Sequence, residues 1–273
     1  MRRWASRSTR SRRSRPTTWP PGTKGPEPLK AVILAAGYAT RLYPLTLDQP
    51  KPLLQVGGRP ILERLLEQLV PIEGLEEVYL VTNARFADHF REFAAARPGL
   101  PALRVVDDGS TGDENKLGAI GDLELVIRGQ GLDDDLLVAA GDSIFTESLA
   151  GLVSAGLERQ APVIALYDVG DLEAIKRYSS IVTDEQGRIV EFEEKPERPR
   201  SSLAGVALYF YPRFVLPLVA TYLAEGGNPD QPGRLVEWLY RRVPFYTWRV
   251  PGRWYDIGSK ETLAQADREF SAG

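Results

Sequence analysis

The chain contains no cysteine. That rules out a disulfide framework, a thiolate metal site and a cysteine nucleophile, and it suits a reducing, cytoplasmic setting. Histidine is almost as scarce: His89 is the single example, so imidazole clusters and His-based triads have nothing to be built from. It follows Ala87-Asp88 in a helix-like stretch and reads as a surface or packing residue. No apolar run approaches the ~18 residues that span a bilayer, so no membrane partner is expected. No internal repeat is visible.

Charge is unevenly spread. The net charge of −3 over 273 residues combines two unlike parts. Residues 1–28 carry seven Arg and one Lys against Glu27, a net of +7, which leaves −10 for residues 29–273. The first part is Arg/Ser-rich, then Pro/Gly-rich, with no periodic apolar pattern, and is expected to be a disordered tail. Three readings of it stand open: a tail for nucleic acid or an anionic surface, an Arg-rich targeting peptide, or translated sequence upstream of the true start. It lacks the apolar core of a secretory signal. The acidic body argues against nucleic acid as a partner.

From Leu29 onward the pattern alternates. Ala31 to Leu34 reads as a buried strand, and Ile61, Leu62, Leu65, Leu66, Leu69 and Val70 form one face of a helix. Strands are expected at 77–81, 102–106 and 136–140, with helices at 86–96 and 117–128 between them. Further on, 179–183 and 188–194 flank Asp184-Glu185-Gln186-Gly187, a hairpin signal. A strand at 203–211, helices at 214–223 and 235–242, a strand at 246–250 and a closing helix at 260–270 complete the reading. Such alternation predicts an α/β fold of three layers, with a mostly parallel, mixed central sheet and helices on both faces. Ligands of these sheets sit at the carboxyl ends of the strands. The expected rim is Gly37, Thr82 to Asn83, Asp107 to Gly109 and Gly141 to Asp142.

The first of these strand ends carries the chemistry. The strand empties into Ala35, Ala36 and Gly37, where backbone amides can approach an anion closely. Arg41 and Lys51 add two positive charges nearby, an arrangement suited to a nucleoside triphosphate. A tight turn with solvated charges is the plainer alternative. No Gly-Lys-Ser/Thr closes the loop, so it is not a Walker A motif, and the loop has no Gly-x-Gly-x-x-Gly fingerprint.

Leu34-Ala35-Ala36-Gly37-x-x-Thr40-Arg41-Leu42, with Lys51-Pro52 beyond it, resembles the signature of the sugar-1-phosphate nucleotidyltransferases. Ala39 stands where that family usually has a second Gly. Four later segments extend the resemblance over nearly all of 30–270: Asn115-Lys116-Leu117-Gly118-Ala119, Ala140-Gly141-Asp142, Glu193-Glu194-Lys195-Pro196 and Trp254-Tyr255-Asp256-Ile257-Gly258-Ser259. The resemblance implies a Rossmann-like nucleotidyltransferase domain over 29–273, with a nucleotide-binding half to about 142 and an acceptor-binding half beyond. It implies Mg²⁺ as cofactor, held by Asp142 and Asp256, and catalytic roles for these two with Arg41 and Lys51. Ala35, Ala36, Gly37, Thr40, Arg41, Lys51 and Gly118 would bind the nucleotide; Glu194 and Lys195 would bind the sugar phosphate.

The expected partners are thus a nucleoside triphosphate and a sugar-1-phosphate, and homo-oligomerisation is left open. The wording is most like that of glucose-1-phosphate thymidylyltransferases. Departures fall where sugar hydroxyls should be read: Ser179 follows Tyr178 in place of Gly, and Gly205 to Tyr209 and Gly233 to Leu239 differ from the usual runs. Trp238 and Trp254 either stack on a sugar or pack in the body. Two alternatives remain: a cytidylyltransferase acting on a phosphorylated alcohol such as phosphocholine, and a catalytically silent nucleotide-binding homologue.

Overall fold

The computed structural model describes residues 28–97 and 103–271. The tail expected over 1–28 lies, Pro28 apart, outside the described residues. In chain order the elements are β1 (Leu29–Leu34), β2 (Gln55–Val56), β3 (Arg59–Pro60), α1 (Ile61–Leu69), β4 (Leu75–Thr82), α2 (Ala87–Ala95), β5 (Leu103–Asp107), α3 (Ala119–Gln130), β6 (Asp135–Ala140) and β7 (Ser143–Phe145). There follow α4 (Ala150–Arg159), β8 (Val163–Asp168), α5 (Leu172–Ile175), β9 (Ser179–Thr183), β10 (Ile189–Glu194) and β11 (Leu203–Tyr211). The last are α6 (Leu216–Ala224), α7 (Pro232–Leu239), β12 (Tyr246–Arg249), β13 (Trp254–Asp256) and α8 (Lys260–Ser271).

Nine strands form the main sheet. β1 pairs in parallel with β4 and β6, and β4 with β5. β11 then runs antiparallel to both β6 and β8, and β12 is parallel to β8. The hairpin β9–β10 joins through Ala204 and Ser180. The mixed, mostly parallel sheet with helices around it is the fold the alternation predicts, and it runs unbroken across residue 142.

Side-chain alternation along the strands divides the core. Ala31 and Ile33 of β1 and Leu137 and Ala139 of β6 face α1, α2 and α4, whose Leu62, Phe90 and Leu152 lie in the same cluster. Val32, Leu136 and Val138 face the other way, onto α3, α6 and α7 through Leu123, Val219 and Leu235. Gly156 lets α4 approach the Phe210 ring with no room for a Cβ between them.

Among the helix starts that differ from expectation, those of α3 and α7 have local reasons. α3 begins at Ala119 rather than Leu117, because Gly118 sits at φ 80°, ψ 160° and cannot be helical. α7 begins three residues early, at Pro232, whose fixed φ suits a first helical turn.

A second, two-stranded sheet pairs β7 with β13. It carries a third apolar cluster made of Leu42, Leu54, Val56, Ile61, Ile144, Ile257 and Ala266. α8 is tied to the turn between β2 and β3, where Gly57 N–H donates to Asp267 Oδ1 at 2.8 Å and Arg64 lies over the Phe270 ring at 4.3 Å. Among the described residues no helix is long and apolar enough to cross a membrane.

Candidate active site

The loop after β1 is held by its neighbours as well as by its own bonds. Ala35 N–H donates to Val81 O at 2.9 Å, Asn83 Nδ2 donates to Ala36 O at 2.8 Å, and Gly141 N–H donates to Leu34 O at 2.9 Å. The ends of β1, β4 and β6 are thereby locked together, as expected for the rim. Ala39 takes the left-handed conformation, φ 50° and ψ 42°, so the substitution of Ala for Gly leaves that backbone shape in place. Its carbonyl accepts from Thr46 Oγ1 at 2.9 Å.

β7 and β13 bring Asp142 and Asp256 together across 114 residues of chain. Asp142 directly precedes β7, Asp256 pairs with Ser143, and Ile257 N–H donates to Asp142 O at 3.3 Å. Lys51 Nζ donates to Asp142 Oδ2 at 2.5 Å. Tyr178 Oη donates to Asp256 Oδ2 at 3.3 Å. Burial raises the Asp256 carboxyl above its ordinary range, and the charge of Asp142 raises it further; Lys51 and Arg41 pull the other way. Burial and the Asp256 charge push the Tyr178 phenol up to about 12, so it is a donor at neutral pH. Two hard oxygen donors crowded against each other, with room beside them, fit a divalent cation.

These groups line a cleft of about 680 Å³, together with Gly37, Thr40, Arg41, Lys116, Lys176, Arg177 and Lys195. Six cations thus surround three carboxylates, those of Asp113, Asp142 and Asp256. Lys195 reaches the cleft from a left-handed turn, φ 51°, pinned by its N–H donating to Tyr178 O at 2.8 Å. A side pocket of about 210 Å³ adds Ala36, Gly118, Asp122 and Asp230. Ala35 lines a smaller recess of about 110 Å³ beside Lys51 and Asp142.

One expected residue stands apart. Glu194 is not in the cleft lining; it lies beneath Gly233 of α7. Burial raises its carboxyl, against the pull of Lys195 and Arg234. Trp238 is also remote, its Nε1 donating to Glu225 Oε2 at 2.8 Å. Trp254 packs edge-on to Tyr167 and Tyr178 and donates to Ser143 Oγ at 3.3 Å. Lys176 and Arg177 escape the sequence reading, although a basic pair just before the strand carrying Ser179 is the available signal. His89 is exposed on α2, edge-on to Phe86.

A cation-lined cleft at the strand ends of such a sheet defines a class, and the chain belongs to the nucleotidyl transferase family, whose profile matches residues 30–272. Among its relatives, UTP–glucose-1-phosphate uridylyltransferase AglF of Haloferax volcanii is 32% identical over 245 residues, 89% of this chain and 96% of that protein. Bifunctional protein GlmU of Methanococcus aeolicus is 28% identical over 243 residues, 88% of this chain but 54% of that protein, so the chain spans about half the length of that relative. The crystal structure of UDP-glucose pyrophosphorylase complexed with UDP-glucose is alike in fold, with a TM-score of 0.76 at 20% identity over 90% of this chain and 99% of that one.

Proposed function

We propose that this protein transfers a nucleotidyl group from a nucleoside triphosphate to a sugar-1-phosphate, giving a nucleotide sugar and pyrophosphate. The observation that carries the reading is the meeting of Asp142, Asp256 and Lys51 inside a cleft walled by cations. A phosphate oxygen of the acceptor attacks the α-phosphorus, and the bond from that phosphorus to the oxygen bridging to the β-phosphorus breaks. Both reactants are anions, so the task is alignment and neutralisation of charge. The acceptor phosphate is largely deprotonated at pH 7, its second pKa being about 6, so no general base is required.

Arg41 offers a planar fork to the triphosphate. Lys51 has three donors; one holds Asp142 and the others are free to reach phosphate oxygens. Lys195 anchors the acceptor phosphate from the far wall. Asp142 and Asp256 would hold Mg²⁺, which supplies Lewis-acid stabilisation of the charge that develops on the phosphate oxygens.

The motif resemblance names dTTP and glucose-1-phosphate as the first pair to try. A second acceptor class is supported by one feature: Tyr167, Tyr178, Trp254 and Tyr255 surround a pocket of about 310 Å³ with Asp256 in its wall, the other carboxylate there, Glu269, being paired with Arg253 at 2.8 Å. Aromatic faces beside carboxylates suit a quaternary ammonium group, as on phosphocholine. One experiment tests both. The protein is incubated with Mg²⁺, each common triphosphate and a panel of sugar-1-phosphates and phosphorylated alcohols, and pyrophosphate release is followed. Release with a sugar-1-phosphate supports the proposal; release only with phosphocholine moves the acceptor class, and none with any pair defeats the reading.

A further inference from the structure

At the ends of β4 and β5 and the start of α3, three buried side-chain oxygens are left without a donor from any other described residue: Thr82 Oγ1, Asp108 Oδ2 and Asp122 Oδ1. Asp122 stands in the first turn of α3, 4% exposed, and forms part of the wall of the side pocket beside Gly118. Asp108 follows β5, and its other oxygen accepts from Ser110 N–H at 2.7 Å. The two carboxyls lie within hydrogen-bonding reach of each other, and burial with Asp108 alongside pushes Asp122 up to about 8. Ionised carboxylates only accept. The proton that Asp122 holds supplies the missing donor for that contact and leaves its second oxygen as an acceptor.

The side pocket is lined by Asp122, Asp142 and Asp230 against one cation, Lys116, and so meets its occupant with acceptor oxygens and negative potential. The cation nearest this wall, Lys116, is already engaged by Asp113 at 3.1 Å and Asp230 at 3.2 Å. A group that donates N–H and carries partial positive charge is complementary to such a wall. A carbonyl in the same place would set acceptor against acceptor. The pocket adjoins the triphosphate loop through Ala36 and Gly37 and reaches Asp142, so on the reading proposed above it receives the base.

We propose that Asp122, positioned by Asp108, reads the nucleotide base and selects one that carries an exocyclic amino group, as adenine, cytosine and guanine do, over uracil and thymine. This inference rests on the nucleotidyl-transfer reading for the location of the base. It departs from the thymidine nucleotide suggested by the motif resemblance. A site built around buried polar groups rejects a ligand that leaves them unpaired far more strongly than an apolar wall does, so the effect is large enough to measure.

The test has two independent arms. In the first, binding of ATP, GTP, CTP, UTP and dTTP is measured by calorimetry with Mg²⁺ and without an acceptor. In the second, kcat/KM is measured for the same five with a working acceptor. At least one amino-bearing triphosphate should exceed both UTP and dTTP by about tenfold or more in each arm, and Asp122→Leu, which removes the acceptor from the wall, should narrow that ratio by about tenfold. Asp108→Ala, which removes the group that positions it, should narrow the ratio too, and both variants are checked for wild-type circular dichroism. UTP or dTTP as the best ligand of the wild type, or an equal loss for all five in Asp122→Leu, overturns the inference. Ranked binding with no pyrophosphate release defeats the transfer reaction alone; release with equal use of all five defeats the base selection alone.

Discussion

Gly118→Ala tests how the side pocket is built. A Cβ at this position would stand 2.6 Å from Pro229 O and 2.8 Å from Asp230 Cα, both backbone atoms that no side-chain rotation can move aside. The backbone at φ 80°, ψ 160° lies in a region essentially reserved for glycine, costing ~1–3 kcal/mol to any other residue. Overpacking against a fixed neighbour adds about 1–3 kcal/mol. If the Pro229 loop retreats instead, the 2.7 Å bond from Ile120 N–H to Pro229 O is lost, at about 1 kcal/mol. The sum is on the order of 3–5 kcal/mol, and at about 2–4 °C per kcal/mol for a domain of this size the melting point should fall by roughly 10 °C. Because Asp230 and Pro232 line the same pocket, the variant's KM for the triphosphate should rise about tenfold while KM for the acceptor stays put. Thermal melting and initial rates measure both. A melting point within about 2 °C of wild type, with nucleotide KM unchanged, would show that the loop is not pinned to α3 and refute the reasoning.

Three further outcomes are expected. Asp142→Asn and Asp256→Asn should each lower turnover by at least ~100-fold with circular dichroism unchanged, since each removes a charged metal ligand; near wild-type turnover at saturating Mg²⁺ would remove that residue from the pair. Arg41→Ala should mainly weaken use of the triphosphate and Lys195→Ala use of the acceptor, each by about 1.5–3 kcal/mol, or roughly one to two decades in KM; equal losses on both substrates would end this division of labour. For pH, Asp122 is raised from 3.8 to about 8 by burial and by Asp108 and Asp230, so between those values the folded state holds a proton that the unfolded state has lost. Stability therefore falls as pH rises through that window, at up to about 1.4 kcal/mol per pH unit, and Asp122→Asn should flatten the slope in melts from pH 5 to 8. An identical slope in the variant would place the titration elsewhere.

The layered fold was legible because β1 and β6 are short apolar runs and α1 repeats Leu at helical spacing, patterns set by burial on known faces. Residues 143–175 were not. β7 is only three residues long, α4 is interrupted by Gly151 and Gly156, and β8 follows it with no turn signal strong enough to mark its start. Their identity comes from partners far along the chain: Gly156 from Phe210, β7 from β13, β8 from β11 and β12. The site was read through residues that sit beside small-residue loops or end a strand, as Gly37, Lys51 and Asp142 do, and Asp256 through the family resemblance of its motif. Glu194 lies away from the cleft because alternation along β10 points it to α7, opposite to the direction in which the left-handed turn sends Lys195. Asp108 falls within the expected rim at Asp107 to Gly109, whereas Asp122 carried no signal, since a buried acid reads in sequence like any solvated one.

The two-stranded sheet has a consequence for the order in which the molecule is completed. A chain growing from its amino terminus has made every strand of the nine-stranded sheet by Arg249, yet Asp256 and α8 are still to come. The main scaffold and both of its apolar faces precede the second carboxylate, which arrives only when Ile257 and Ala266 close over Leu42 and Ile144. Synthesis halted after Arg249 would leave all nine strands of the main sheet present and a cleft holding Asp142 and Lys51 without their counterpart. Pairing of the two carboxylates therefore waits on the segment that follows β12, and is separable from folding of the sheet itself.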